Sequence, residues 1–419
     1  MDTRRHASSD RPRSRPRTRT AVLLGAVAVI AAACSSGSSA PSTSAAPSTT
    51  GTTRAPGQPA GLPAIRHVFV ITLENEGYAA TFGSPSSDPY LATTLPAEGA
   101  LLQQYHGIGH FSNDNYIALV SGQAPNPANQ ADCQAFADFP ADAARTPSGQ
   151  MTGSGCVFPA SVPTVAGQLD AAHLTWKGYM EDMGNVPSRE SAVCGHPAVG
   201  TADTTQRAVP GDGYATRHDP FVYFHSIIDD TARCDARVVP LGSTTGALPA
   251  SAPAGTTGLV TDLRSVATTP NLSFIVPNLC NDGHDAPCVN QSGAATAGAN
   301  MDAFLSTWVP RITRSPAFRK DGLLIVTFDE ADGSGSGADA TACCNEQAGP
   351  ASALPGLSGP GGGRTGTVLL SPFIRAGTVS TVPYNHYSTL ATVEDLFGLA
   401  KLGQAATTTS TFGTDVFGR

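Results

Sequence analysis

Two acidic pairs stand at the ends of apolar runs: Glu74-Asn75 after "HVFVITL" (67–73) and Asp329-Glu330 after "LLIVTF" (323–328). Carboxylate and amide oxygens grouped in this way suit a hard divalent cation, and added imidazole would admit zinc. A third cluster, Ser112-Asn113-Asp114-Asn115 in "HFSNDNYIALVSG" (110–122), opens an apolar stretch of helical character. Read alone, these four side chains could simply cap a helix, because Ser, Asp and Asn accept from the free N–H groups of a first turn. Beside a cation, Ser112 would have a lowered hydroxyl pKa and could act as a nucleophile. Asn115, one turn in, could then donate to a phosphoryl oxygen while the helix N–H groups share its charge. His218 in "YATRHDPF" and His284 in "PNLCNDGHD" could protonate a leaving oxygen or complete a metal shell. Three residues rank below these. Asp282 is a further ligand candidate, His386 in "YNHYSTLATVEDLFG" reads equally well as a loop residue ahead of a helix, and His110 flanks the serine cluster.

These residues act together only if the fold brings them to one place. Four near-continuous apolar runs, at 67–73, 272–277 ("LSFIVP"), 323–328 and 367–374 ("TVLLSPFI"), read as strands covered on both faces. Helix-like segments lie between and after them, at 115–122, 161–173, 301–312 and 388–402. The alternation predicts an α/β fold with a mostly parallel central sheet flanked by helices. In such sheets ligands bind at the C-terminal edge of the strands, where both acidic pairs fall. The stretches 123–270 and 331–366, rich in Gly, Pro, Ala, Ser and Cys, read as long disulfide-bound loops that could cap that edge. Gly361 to Gly366 matches G-x-G-x-x-G but precedes a strand, whereas a dinucleotide fingerprint follows one and opens a helix. Neither a Walker sequence nor a G-x-S-x-G nucleophile elbow is present, which argues against a P-loop enzyme and an ordinary esterase.

Seven arginines between Arg4 and Arg19, then "AVLLGAVAVIAAA", make residues 1–33 an export leader whose apolar run is short for a membrane span. Cys34 follows directly, and a Ser/Thr/Pro-rich tether runs to residue 61, the pattern of a bacterial lipoprotein cleavage site. Ala31 stands where such sites prefer Leu, so plain secretion is the alternative. Without Cys34 eight cysteines remain, an even number suited to disulfides in an oxidising compartment. Sequence-local pairs 133–156, 194–234 and 280–288 are the simplest assignment, leaving Cys343 and Cys344 to join each other or distant partners. Beyond residue 33 there are 18 basic and 31 acidic residues, a formal charge of −13, with Lys177, Lys320 and Lys401 the only lysines. That balance argues against nucleic acid as a partner and against electrostatic capture by anionic lipid, which leaves membrane contact to a lipid anchor at Cys34. A phosphate-handling site on such a surface needs a bound cation.

Read in order, "HVFVITLENEGY", "YHGIGHFSNDNYIALVSG", "TWKGYMEDM", "RHDPFVYF", "VPNLCNDGHD", "LLIVTFDEADG", "GGGRTGTVLLSPFI" and "YNHYSTLATVEDLFGL" resemble the bacterial phosphoesterase family from roughly Arg66 to Gly403. That family joins secreted acid phosphatases, including phosphatidylinositol-3-phosphatase-type enzymes, with bacterial phospholipases C, within the alkaline phosphatase superfamily. The spacing of Ser112, Asn115 and Gly122 is also similar to the T-x-x-N…G pattern of nucleotide pyrophosphatases, with Ser for Thr. The resemblance implies an alkaline phosphatase-like fold over a phosphoesterase domain at 62–404, followed by a tail at 405–419. It implies a divalent metal ion gathered by Glu74, Asn75, Asp329 and Glu330 beside Ser112, with His218 and His284 as active-site histidines. The implied activity is that of an exported, metal-dependent acid phosphatase working through a phosphoserine, on a phosphate ester that includes phospholipids or phosphoinositides among the candidates. A phospholipase C-like phosphodiesterase is the runner-up, disfavoured because the chain ends soon after "FGLAKLG". An inactive surface binding lipoprotein is the alternative of another class. Three positions in two places depart from relatives: Glu330 where some have Asp, and Phe111 and Asp114 where many have a proline-containing motif.

Overall fold

The computed structural model describes residues 55–289 and 296–418, so the leader, Cys34 and most of the tether lie outside the described residues. The run "HVFVITL" forms β1 (His67–Leu73), buried at every position. Its side chains alternate between two cores: Val68 and Val70 enter one, and Phe69, Ile71 and Leu73 the other. A strand sandwiched this way has no polar face, which is why its sequence reads as continuous apolar residues. The other strands of the sheet are β2 (Ala100–Leu102), β3 (Trp176–Met180), β4 (Val238–Pro240), β5 (Leu272–Val276), β6 (Gly322–Phe328), β7 (Thr367–Leu370) and β8 (Thr378–Ser380). Their spatial order is β8-β2-β7-β6-β1-β5-β3-β4. Only β7 runs against its neighbours; the remaining pairings are parallel. The register sets Leu73 of β1 opposite Phe328 of β6, so Glu74 and Asp329 leave the sheet side by side.

Five helices matter for the site: α1 (Ser112–Ser121), α2 (Val165–Ala171), α3 (Ala297–Thr313), α4 (Pro316–Asp321) and α5 (His386–Phe397). α1, α2 and α5 contribute Tyr116, Ile117, Leu169, Leu390 and Val393 to the core on one face of the sheet. α3 lays Met301, Phe304, Leu305 and Trp308 on the other. All ten residues of α1 are buried, its polar first turn Ser112–Asn115 as well as the run Tyr116–Val120. It ends at Gly122, whose left-handed φ of 67° is cheap only for glycine, and whose N–H closes onto Ala118 O at 3.0 Å.

Several boundaries differ from the sequence expectation. Residues 112–115 are the first turn of α1 and not a cap ahead of it. β3 and β4 lie within the stretch expected to be loop. Lys177 and Gly178 break the apolar run of β3, and three-residue β4, at the sheet edge, carries Pro240. The strand expected over 367–374 stops at Leu370, because Ser371-Pro372 cannot continue the ladder. Ala55 is already buried, and Phe412, Val416 and Phe417 of the expected tail enter the core beside α5. Four disulfides join Cys133–Cys156, Cys194–Cys234, Cys280–Cys288 and the adjacent Cys343–Cys344. Among the described residues no helix is long and apolar enough to cross a membrane.

α5 is started by a capping box: Asn385 accepts from Ser388 N–H at 3.0 Å, and Ser388 Oγ accepts from Asn385 N–H at 3.2 Å. Replacing Asn385 by Ala should cost about 1 kcal/mol of unfolding free energy. Urea titration of the two proteins measures the difference.

Candidate active site

Ser112 begins α1 because the preceding loop turns sharply. Phe111 takes a φ of 73°, and its side chain does not cap the helix. The cap comes from elsewhere: Asp132 Oδ1 accepts from Asn113 N–H at 3.1 Å. Asp132 sits in a left-handed turn beside Cys133, whose disulfide to Cys156 fixes that loop. Asn115 has both ends of its amide committed. Its Oδ1 accepts from Ile108 N–H (2.7 Å) and Gly109 N–H (3.1 Å), and its Nδ2 donates to Gly109 O (3.1 Å) and Phe111 O (3.3 Å). In this arrangement Asn115 shapes the loop that presents Ser112 and makes no use of the donor expected for a phosphoryl oxygen.

Ser112 Oγ donates to Glu74 Oε2 at 2.7 Å, and Tyr116 OH, one turn on, donates to Glu74 Oε1 at 2.5 Å. His218 stacks on Tyr116 with ring centroids 5.1 Å apart. Its Nε2 lies 3.4 Å from Glu74 Oε1 and its Nδ1 3.2 Å from Asp282 Oδ2, yet neither nitrogen has a hydrogen-bond partner. Glu74, His218 and Asp282 each offer an atom, all within 4.8 Å of one another. Asp329 completes the surroundings: its Oδ1 accepts from Asn75 N–H (3.0 Å) and Glu330 N–H (2.6 Å), and its Oδ2 has no partner. Asn75 lends its backbone to Asp329, and its amide lies 3.4 Å from Glu74 Oε2.

Glu330 turns the other way, onto His110 Nδ1 at 2.8 Å, while His110 Nε2 donates to Asp339 O at 2.9 Å. Burial drives this pair towards the neutral forms, the carboxyl up and the imidazole down. His386 stands at the first position of α5, with its ring on Asp329 O and Tyr105 OH, and so braces the end of β6 from behind. His284 donates from Nδ1 to Asp285 Oδ1 at 2.8 Å and is 5.9 Å, ring to ring, from His218. Asp114 is buried against Gly109, where an added Cβ would meet its carboxyl at 2.5 to 2.8 Å, and neither of its oxygens has a partner.

The geometry therefore gathers Ser112, Glu74, Asp329, Asp282 and His218 at one point, with Asn75 at its edge and His284 alongside. It gives Glu330, His110 and His386 supporting contacts. Tyr116, Asp132 and Arg217 were missed by sequence reasoning. Tyr116 was findable, four residues after Ser112 on one helical face; Arg217 adjoins His218; Asp132 carries no local signal. Glu74, Asp114, Asp282 and Glu330 are all held well above the usual carboxylate range, and Asp329 is raised to about 6. Burial is the main cause in each. Charges on neighbouring carboxyls add to it for all but Asp329, whose hydrogen bonds work the other way. Unpartnered buried oxygens on Asp282 and Asp329, with two unpartnered nitrogens on His218, are what a divalent cation would satisfy.

A family model described as the Phosphoesterase family matches residues 85–400. A phosphatidylinositol-3-phosphatase from Mycobacterium tuberculosis is 26% identical over 350 residues, covering 83% of this chain and 81% of that protein. A phosphate-repressible acid phosphatase from Penicillium chrysogenum is 27% identical over 74% of this chain and 55% of its own length. An acid phosphatase from Aspergillus fumigatus is 24% identical over 81% and 57%. The chain thus spans just over half the length of the two fungal enzymes. Among solved structures, an alkaline phosphatase superfamily protein from Vibrio parahaemolyticus aligns over 84% of this chain and 74% of its own at 14% identity, TM-score 0.45.

Raised carboxyl pKa values have a consequence for stability. Asp219 and Glu181, both distant in sequence from Ser112, are pushed up to about 7 by burial, against unfolded values of about 4. Between those limits the folded state binds more protons than the unfolded chain. The stabilisation is complete below about pH 4 and is lost as pH rises through about 7. In chelator, urea midpoints should fall steadily from pH 5 to 8. A divalent cation should reduce the slope, because it replaces protons on Glu74, Asp282 and Asp329.

Proposed function

The chain belongs to the Phosphoesterase family, a family of phosphoric ester hydrolases, and from that premise we propose that it is an exported, metal-dependent acid phosphatase with Ser112 as nucleophile. The observation that carries this reading is the 2.7 Å hydrogen bond from Ser112 Oγ to Glu74, at the start of a buried helix and beside carboxyls with unpartnered oxygens. Glu74, Asp282, Asp329 and His218 would hold the ion, with Asn75 at its margin. Bound there, it would supply Lewis-acid stabilisation of the phosphoryl oxygens and lower the serine's pKa. This ligand set differs from the sequence expectation by exchanging Glu330, which His110 occupies, for Asp282 and His218.

Ser112 Oγ gives up its proton along the bond to Glu74 and attacks phosphorus, forming a P–Oγ bond as the ester oxygen departs. His284 stands beside the site with Asp285 orienting its ring, and serves as the group that delivers a proton to the leaving oxygen. Water then cleaves the phosphoserine and restores the hydroxyl. Tyr116 holds the far oxygen of Glu74, so the accepting oxygen stays turned to Ser112. Phe111, next to the nucleophile, is exposed, as are Leu354 and Leu357 on the loop whose Pro355 O accepts from His110 N–H. That apolar rim supports an ester with an apolar alcohol, including a lipid-borne phosphate, as the natural substrate. Disulfides among the described residues support export, and a lipid anchor at Cys34 agrees with the sequence.

Ser112→Ala should lower the rate on a phosphomonoester by about 10³-fold or more, and chelator should abolish wild-type turnover until a divalent ion is restored. Assays of wild type on a monoester, a diester and phosphatidylcholine separate the phosphatase from a phospholipase C-like enzyme. Unchanged turnover in Ser112→Ala refutes the nucleophile, and faster cleavage of phosphatidylcholine than of the monoester refutes the phosphatase.

A further inference from the structure

A phosphate ester brings one or two negative charges to a site already crowded with carboxyls. One cation of the chain itself stands there. Among the described residues Arg217 is the single arginine or lysine that is fully buried. Its Nη1 donates to Gln206 O at 3.0 Å and its Nη2 to His284 Nε2 at 3.0 Å. Its Nε lies 3.7 Å from Asp132 Oδ2 and has no hydrogen-bond partner. Its own carbonyl accepts from Asn113 Nδ2 at 3.0 Å, which ties it to the first turn of α1. Burying a guanidinium is costly unless its donors are satisfied by anions or good acceptors. Here a carbonyl and a ring nitrogen take two donors, a third is free, and the nearest carboxylate is beyond hydrogen-bond reach and already committed to the helix start.

The contact with His284 also fixes a proton. A guanidinium only donates, so His284 Nε2 accepts, and the ring's hydrogen is on Nδ1, facing Asp285. While Arg217 holds Nε2, that nitrogen cannot carry a proton to a leaving oxygen. A phosphoryl oxygen is a better acceptor for a guanidinium than an imidazole nitrogen, and two such oxygens match its fork.

Resting on the reading of Ser112 as nucleophile, we propose that Arg217 is the phosphoryl-binding cation of the site: it leaves His284 for the substrate's non-bridging oxygens and thereby frees His284 Nε2 to take a proton from solvent and pass it to the leaving oxygen, Nδ1–H staying on Asp285. Asp132 keeps the guanidinium close to the start of α1, so that binding of the phosphoryl group and release of the histidine are one movement of one side chain.

The test uses the protein saturated with the divalent ion that supports its turnover, and inorganic phosphate as the probe. Arg217→Gln should raise the Ki of phosphate and the KM of a phosphomonoester together, by about 10- to 100-fold. Arg217→Lys, which keeps the charge without the fork, should recover most of that loss. A merely structural arginine would lower stability and leave Ki where it was. A Ki within about twofold of wild type in Arg217→Gln, or no advantage of Lys over Gln, overturns the proposal. Should Arg217→Gln fail to fold, wild type alone decides. The ¹⁵N signal of His284 Nε2, assigned with His284→Gln, should move on saturation with phosphate, and a signal that stays fixed overturns the proposal. Ser112→Ala separates the two readings. It should bind phosphate as wild type does but not turn over, and retained turnover defeats the nucleophile while the Arg217 affinities stand by themselves.

Discussion

Five carboxyls, those of Glu74, Asp114, Asp282, Asp329 and Glu330, are buried at one edge of one sheet, and everything else about the site answers to their repulsion. The strand register of β1 and β6 forces two of them together, since Leu73 lies opposite Phe328 and the chain turns acidic in both strands at the next residue. The protein meets the repulsion with four different devices. Glu74 is held by two hydroxyls, Asp329 by two backbone N–H groups, Glu330 by an imidazole, and Asp114 by exclusion of water. What remains, the unpartnered faces of Asp282, Asp329 and His218, is turned inward. A site held this way is poised for positive charge.

The mostly parallel central sheet flanked by helices was legible because its central strands are buried on both faces. β1, β5 and β6 appear in the sequence as unbroken apolar runs and fall within a residue of where they were expected. Glu74, Asn75, Asp329 and Ser112 were legible for the same reason: each directly ends a strand or starts a helix. The rest depended on distance along the chain. Asp132 caps a helix that starts twenty residues earlier, and no spacing rule reaches across that loop. Asn115 looked like a donor to substrate because a helix first turn offers one, but the glycine-containing loop at 107–109 needed its amide more. Gly107 passes so close to the end of β6 that a Cβ would lie 2.6 Å from Asp329 O, a crowding that only the folded chain reveals. β3 and β4 escaped notice because short strands towards a sheet edge need fewer apolar residues.

Tyr116 and His386 illustrate how the two sides of the site are kept in place. Tyr116 belongs to α1 and reaches β1 through Glu74. His386 belongs to α5 and reaches β6 through the Asp329 carbonyl. The two helices pack on the same face of the sheet, so Glu74 and Asp329 each have a helix behind them as well as a strand beneath them. Precision at the site therefore comes from layers that close the core.

The cap that Asp132 places on α1 has a history in time as well as a position in space. The loop that delivers it is stapled by Cys133–Cys156, a bond that forms only where thiols are oxidised. With those thiols reduced, the loop that carries the cap of α1 and the neighbour of Arg217 would lose its staple. The covalent staple thus ties the geometry at the start of α1 to the redox state of two thiols far from it in sequence.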